Sequence, residues 1–382
     1  MGFLVYYYQR NRIIVLIGDG MMTITWKMVK EIILEKRKEF EKFEENFGKG
    51  IGLYGAGLFG QQMLDYMKGN NYRIVSYIDS NKNLHGQKIQ DIEIKSLDDF
   101  NGGAILITIQ GAMAELKTLI NRDYPVMAFE EWFAIKNIDK YERVRNGALY
   151  DDESKRVLDT KLYEMLTNSN LYFSEIYSPD QYFCLKEFVE GFNESFVDIG
   201  AYTGEVIERF IWKKLGSFNK IYAFEPISKH YNAMAKRINR LSDEWGIESG
   251  KIELIKAAVS DVESNMDVSI EEGRPSSSTF LNNAIYSPKM EQVSIYTLDK
   301  YFGNDTVTFI KADIEGFEMK MLKGAEKVIR QNKPKLAICV YHNVNHVFEF
   351  MEYLCGIVPE YKFRLRHHSH NTTETVLYCV AN

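Results

Sequence analysis

Twice along the chain a short apolar run breaks into a glycine-rich turn and continues as an amphipathic stretch: "IGLYGAGLFG" at 51–60 and "SFVDIGAYTGE" at 195–205. A buried strand that turns sharply into a helix needs glycine where no Cβ fits. Strands and helices in alternation then build a parallel sheet with helices on its faces. After the first turn the rhythm runs through "RIVSYID", "AILITI", a helix across "MAELKTLI", and "VMAF". After the second it runs through "IYAFEP", "IELIKAAV", "TFIKADIEG" and "KLAICVYH", with helical "SKHYNAMAKRINRL" and "FEMKMLKGAEKVIRQN" in between. The end changes character: "YKFRLRH" and "TETVLYCV" face each other across a polar loop and read as an antiparallel hairpin. The expected fold is α/β, with a smaller N-terminal Rossmann-like unit and a larger C-terminal one.

At 382 residues the chain exceeds what one core usually spans. The expected division is an N-terminal segment with an amphipathic helix (1–47), a small Rossmann-like domain (48–135), a mostly helical connector (136–190) and the larger domain (191–382). The first helix rests on apolar residues at 26, 29, 33, 40, 43 and 47 set among Lys and Glu. "YSPDQYF" at 177–183 is expected to be a turn. A net charge of −6 argues against a general nucleic-acid binder, whose phosphate affinity needs clustered Lys and Arg. Cys184, Cys339, Cys355 and Cys379 form no C-x-x-C pair, so neither a zinc knuckle nor a disulfide framework is expected, and a cytoplasmic setting is the default. Arg10, Arg12 and Asp19 break the apolar N-terminus well short of the roughly 20 residues a membrane span needs, and no signal-peptide cleavage pattern follows. A translation start at Met21 or Met22 is one hypothesis, which an intact mass retaining Met1 or Gly2 would disprove, and the true start is left open.

Five parallel strands closed by a hairpin are the plan of class I S-adenosylmethionine (SAM) dependent methyltransferases. In that plan the D-x-G-x-x-x-G turn of Asp198, Gly200 and Gly204, with Ala201 and Tyr202 inside it, would cradle the methionine part of the cofactor. Its ammonium would favour a nearby carboxylate. Glu225 ends the next strand, where an acid can accept both ribose hydroxyls, and Pro226 stops that strand. Ala258 and Val259 would sandwich an adenine, with Asp261 as its polar partner.

Around these residues the sequence resembles the FkbM family of methyltransferases. The resemblance runs over about 177–380: "DQYF", "FVDIGAYTGE", "YAFEP", "KAAVSD", "YTLDKYF", "LAICVYH" and above all "KADIEGFEMKMLKGA". It implies SAM-dependent O-methylation of a hydroxyl, often on a sugar of a glycan or on a natural product. Asp313 and Glu315 lie at the C-terminal edge of the fourth strand, where ligands of open parallel sheets bind. If the strand persists, the two point to opposite sides and one faces the acceptor. Asp313 is the first candidate for positioning the acceptor or taking its proton, and His342, at the end of the fifth strand, is the second. Asp313 with Glu315 offers hard ligands for magnesium, but no third oxygen ligand stands at a telling spacing, so no metal ligands are assigned and the need for a divalent metal is left open. His367, His368 and His370 fall in the hairpin turn near the acceptor entrance, and "RPSSSTFL" at 274–281 is a polar loop suited to border the same site.

Gly55, Gly57 and Gly60 complete a G-x-G-x-x-G between strand and helix, and Asp79 ends the next strand. By rule this is a dinucleotide fingerprint with a ribose-binding acid. The unit is similar to small Rossmann-like domains of sugar-modifying enzymes, which implies a possible nucleotide or nucleotide-sugar site. An NAD site and a packing module stay open beside it. The chain is thus expected to methylate a small-molecule or glycan hydroxyl; an NAD-linked oxidoreductase or a non-catalytic nucleotide-sugar binder is the alternative. Oligomeric state is left open.

Overall fold

The structure, a computed structural model, describes residues 6–9, 12–15, 22–109, 116–117, 120, 124–270, 278–279 and 289–381. The larger sheet has seven strands in the spatial order Ile252–Ile255, Lys220–Phe224, Ser195–Ile199, Phe309–Ala312, Lys335–Cys339, Thr375–Ala381, Tyr361–His367. The first five are parallel and the last two antiparallel, so the expected hairpin closes the sheet. Ser195–Ile199 and Phe309–Ala312 are buried at every position, as strands covered on both faces must be. Strand order reverses between these two, and the crevice outside their C-terminal ends is where such sheets bind ligands.

Two strands differ from expectation. "IELIKAAV" splits: Ile252–Ile255 stays in the sheet, while Ala258–Val259 pairs with Lys289–Tyr296 in a separate four-stranded sheet that also holds Ser264–Ile270 and Ser278–Thr279. "TFIKADIEG" stops at Ala312, and the chain then turns through Glu315 (φ 54°) and Gly316 (φ 98°). The alternation argument for Asp313 and Glu315 therefore does not apply, because neither acid is in a strand. Of "RPSSSTFL", only Ser278–Thr279 lies within the described residues; Met21 and most of "MAELKTLI" lie outside them.

The smaller sheet runs Lys88–Ile89, Ile92–Lys95, Ile74–Ile78, Ile51–Tyr54, Ala104–Ile107, Val126–Ala128, and is parallel except for its first pair. That edge hairpin turns on Gln90 and Asp91, both left-handed (φ 47° and 68°), without the Asn-Gly pair that usually announces such a turn.

The helices Phe129–Lys136, Ile138–Gly147 and Asp152–Thr167 join the two sheets into one buried core. Phe133 stacks on Phe348 with ring centroids 6.0 Å apart, and the Tyr141 hydroxyl donates to the Val344 carbonyl at 3.0 Å. Asp151 caps Asp152–Thr167 by accepting from the Ser154 amide (2.9 Å) and also pairs with Arg366 of the hairpin (2.8 Å). Among the described residues no helix is long and apolar enough to cross a membrane.

Candidate active site

A cleft of about 970 Å³ opens along the C-terminal ends of the parallel strands. One half is built by the turn after Ser195–Ile199. Gly200 is left-handed (φ 75°), and a Cβ on it would lie 2.0 Å from the Asp313 carbonyl oxygen, so only glycine lets the turn touch the fourth strand. Tyr202 (φ 49°) donates its amide to Glu225 at 2.9 Å, and Ile227 donates to the other carboxylate oxygen at 2.9 Å. Glu225 is thus buried yet fixed on the cleft wall beside Pro226. Ala258 and Val259 continue that wall with Phe224, Ala257 and Ile295 as an apolar slot.

Three of the expected cofactor residues do not line the cleft. Asp198 is fully buried beneath the turn, 3.0 Å from the Lys311 ammonium. Burial pushes its carboxyl up against the pull of Lys311. Lys311 is raised in turn, because Asp198 and Asp313 outweigh its desolvation. It is Lys311 that faces the cleft, and its ammonium also donates to the Gly200 carbonyl at 2.8 Å. Gly204 begins the helix Glu205–Lys213 outside the lining, while Glu205 and Arg209 of that helix line the cleft. Asp261 is exposed and reaches the wall only by accepting the hydroxyl of Ser260 (3.0 Å).

The other half gathers acids around one imidazole. The Asp313 carboxylate accepts from the Tyr182 hydroxyl at 2.9 Å and the Tyr341 hydroxyl at 3.1 Å. Tyr182 is itself left-handed (φ 69°), and burial holds its hydroxyl well above the usual tyrosine range. His342 donates from Nδ1 to Glu318 at 2.8 Å. Its Nε2 lies 3.5 Å from Asp313 and 3.7 Å from Glu315 and has no hydrogen-bond partner. Burial would lower the imidazole, but Glu318 outweighs it and lifts His342 to about 9. Glu318 is brought down to about 2 by His342 against its own burial. The Glu315 side chain keeps 40% of its surface exposed, yet desolvation where it leans into the corner and the neighbouring acids raise it to about 7, with His342 opposing. Glu374, from the hairpin turn, lines the same end, and burial beside Asp313 raises it too.

The turn that leaves the fourth strand brings Asp313 and Glu315 together at His342. The sequence reading missed Tyr182, Lys311, Glu318 and Tyr341. Lys311 carried a signal: it is the lone charge in an apolar strand, in register with Asp198, the lone charge of the neighbouring strand. The histidine run does not converge on one point. His367 bonds Thr375 (2.8 Å), His368 bridges the Ser178 carbonyl (2.6 Å) and the Tyr378 hydroxyl (2.9 Å), and His370 stacks on Tyr177. In the N-terminal domain Gly55, Gly57, Gly60 and Asp79 do come together. Asp79, however, accepts the Ala56 amide (3.0 Å) and the Asn81 amide (2.8 Å), so its carboxylate braces the loop's own backbone.

Residues 198–365 match the family model for the methyltransferase FkbM domain. The match covers less than half of the chain, so what it shows is a likeness of this stretch to the FkbM domain. The match supports a methyltransferase activity. The fold is similar to the crystal structure of methyltransferase FkbM from Methylobacillus flagellatus KT, at 20% identity and a TM-score of 0.56. That likeness covers 92% of this chain and 98% of the other, so it takes in the smaller N-terminal sheet as well as the larger one. Weaker likenesses are to an rRNA methylase from Streptococcus thermophilus (16% identity, 56% and 94% covered, TM-score 0.31) and to Aeropyrum pernix fibrillarin with natively bound SAM (8% identity, 50% and 68% covered, TM-score 0.30). No curated protein matches the chain.

Proposed function

We propose that the chain is a SAM-dependent O-methyltransferase acting on a hydroxyl of a sugar or similar polyol. The observation that carries this reading is the order of groups along one cleft. The Gly200–Tyr202 turn, the clamped Glu225 and the Ala258–Val259 slot follow one another on successive strand ends, and Asp313 stands at the far side. In this reading Glu225 accepts the ribose hydroxyls, the slot holds the adenine with Ser260 and Asp261 at its polar edge, and the turn carries the methionine part. Lys311 and Arg209 bring positive charge to the end where the methionine carboxylate would lie, and Asp198 acts from beneath by fixing Lys311.

Methyl transfer is an in-line displacement, so alignment of acceptor and sulfonium supplies much of the rate. The acceptor oxygen forms a bond to the methyl carbon as the carbon–sulfur bond breaks. The electron pair goes to sulfur, which leaves as a neutral thioether, and the hydroxyl proton passes into the corner of Asp313, Glu315 and His342. Tyr182 and Tyr341 hold Asp313 in place to orient the hydroxyl. A lining of carboxylates, tyrosine hydroxyls, Gln181 and Thr373 suits an acceptor rich in hydroxyls. The N-terminal glycine loop has no part in this reading, which places the chemistry in the cleft of the larger sheet.

The test is transfer from methyl-labelled SAM to a panel of sugars and host glycans, read by mass spectrometry. Label on a sugar oxygen, with turnover down about 100-fold or more in Asp313→Ala, is expected. Full turnover in that variant would remove Asp313 from the reaction.

A further inference from the structure

We propose that His342, Asp313 and Glu315 bind a divalent cation at the acceptor end of the cleft. The inference rests on the reading above that the acceptor meets Asp313.

The first observation is the orphaned nitrogen. His342 is buried, its Nδ1 is committed to Glu318 at 2.8 Å, and its Nε2 is left without a hydrogen-bond partner. With the ring pinned from behind, that nitrogen has one fixed direction, toward the carboxylates of Asp313 (3.5 Å) and Glu315 (3.7 Å). Both distances are long for a good hydrogen bond. Ligands about 2.1 Å from one cation lie about 3.0–3.5 Å apart, so Asp313 already stands at the upper end of that range and Glu315, at 3.7 Å, needs only a small side-chain shift to enter it. Donor atoms of Asp313 and His342 lie within 4.8 Å of each other and of Glu318, which backs the pair, while Glu315 approaches the Nε2 of His342 from the other side.

The second observation is the support around these groups. Metal-bound histidines typically give their other ring N–H to a carboxylate, and metal-bound carboxylates are themselves hydrogen-bonded. Glu318 supplies the first feature, and the two tyrosine hydroxyls on Asp313 supply the second. Glu315 sits in the turn with a left-handed backbone (φ 54°), an uncommon conformation for a residue with a long side chain, and its carboxylate stands 3.7 Å from the His342 Nε2. One imidazole with two carboxylates favours manganese or zinc over calcium. Three protein ligands leave positions open for the acceptor hydroxyl, which the ion would hold and make more acidic.

The test uses the full chain stripped with EDTA and titrated with Mn²⁺, following free Mn²⁺ by electron paramagnetic resonance, with S-adenosylhomocysteine binding measured on the same samples. One Mn²⁺ per chain is expected. His342→Gln and Asp313→Asn should weaken it at least about 100-fold, and Glu318→Gln about 10–100-fold. Glu315→Gln, at an exposed position, should weaken it at least about tenfold, so that support does not depend on buried variants alone. S-adenosylhomocysteine affinity should stay within about threefold in all four, which also reports that each is folded. Normal S-adenosylhomocysteine binding with no Mn²⁺ uptake at about millimolar concentration, or equal Mn²⁺ affinity in His342→Gln, overturns the cation site and leaves the methyltransferase reading standing. Mn²⁺ uptake without S-adenosylhomocysteine binding supports the site and counts against that reading; neither binding overturns both.

Discussion

Lys311 and Asp198 face each other across adjacent strands with almost no exposure, and each is the partner that makes the other tolerable. Removing one charge of a buried pair strands the other, at a cost of about 3–5 kcal/mol, whereas replacing both with apolar groups is often near neutral. Asp198→Ala should therefore lower stability in urea by about 3–5 kcal/mol, and adding Lys311→Met should recover at least about half of that loss. A single variant as stable as the wild type would show that the pair is not needed. Glu315 offers a contrasting test. Its left-handed backbone costs about 1 kcal/mol or more for a residue with a Cβ, so Glu315→Gly should hold or raise stability by about that amount while turnover falls at least about tenfold. Equal turnover would release Glu315 from the site. At this scale the placing of the glycine turn, Glu225, Pro226, Ala258, Val259 and Asp313 along one cleft was legible, because successive parallel strands end on the same edge of the sheet. Tyr182, Glu318 and Tyr341 were not read as site residues, since what brings them to Asp313 and His342 is three-dimensional packing and not spacing along the chain.

Strands were easier to read than their ends. The five parallel strands announced themselves as apolar runs bounded by turns. "TFIKADIEG" was read too long because nothing in Asp-Ile-Glu marks a left-handed residue, and the second sheet was missed because Ser264–Ile270 is mixed in polarity. The helix Asp152–Thr167 shows how an element is tied to its neighbours. Burial opposes ionisation of its cap Asp151, yet Arg366 and Ser154 outweigh that and hold the carboxyl down to about 2, below the ordinary 3.8. A carboxyl depressed on folding stabilises the fold above its unfolded value, and that stability is lost as pH falls through the window from about 4 to about 2. For a partly exposed group the term is about 1–2 kcal/mol. Asp151→Asn should lower stability by that amount at pH 7 and flatten the pH dependence between about 4 and about 2. An unchanged acid profile would mean that the cap contributes no linkage.

The whole molecule is more unified than two glycine-turn units suggested. Residues read as a connector pack against both halves: Leu149 and Tyr177 bridge to Phe363 and His367 of the hairpin, Asn168 donates to Glu131 at 3.0 Å, and Phe133 of the smaller domain stacks directly on Phe348. A shared core of this kind predicts one cooperative calorimetric transition for the full chain; two well-separated transitions would restore the picture of independent domains. The two glycine turns end with different fates. In the first, Asp79 is bonded to its own loop, and a Cβ on Gly60 would lie 2.0 Å from the Gly55 carbonyl, so the turn is closely packed around its acid. In the second, Gly200 opens onto a cleft walled by Glu225 and Lys311. That cleft as a SAM site is the central claim, and calorimetric titration with S-adenosylhomocysteine tests it most directly. One site per chain in the wild type, weakened at least about tenfold (about 1.4 kcal/mol) in Glu225→Gln, is the predicted result. No heat of binding at about millimolar S-adenosylhomocysteine, or equal affinity in Glu225→Gln, would contradict it.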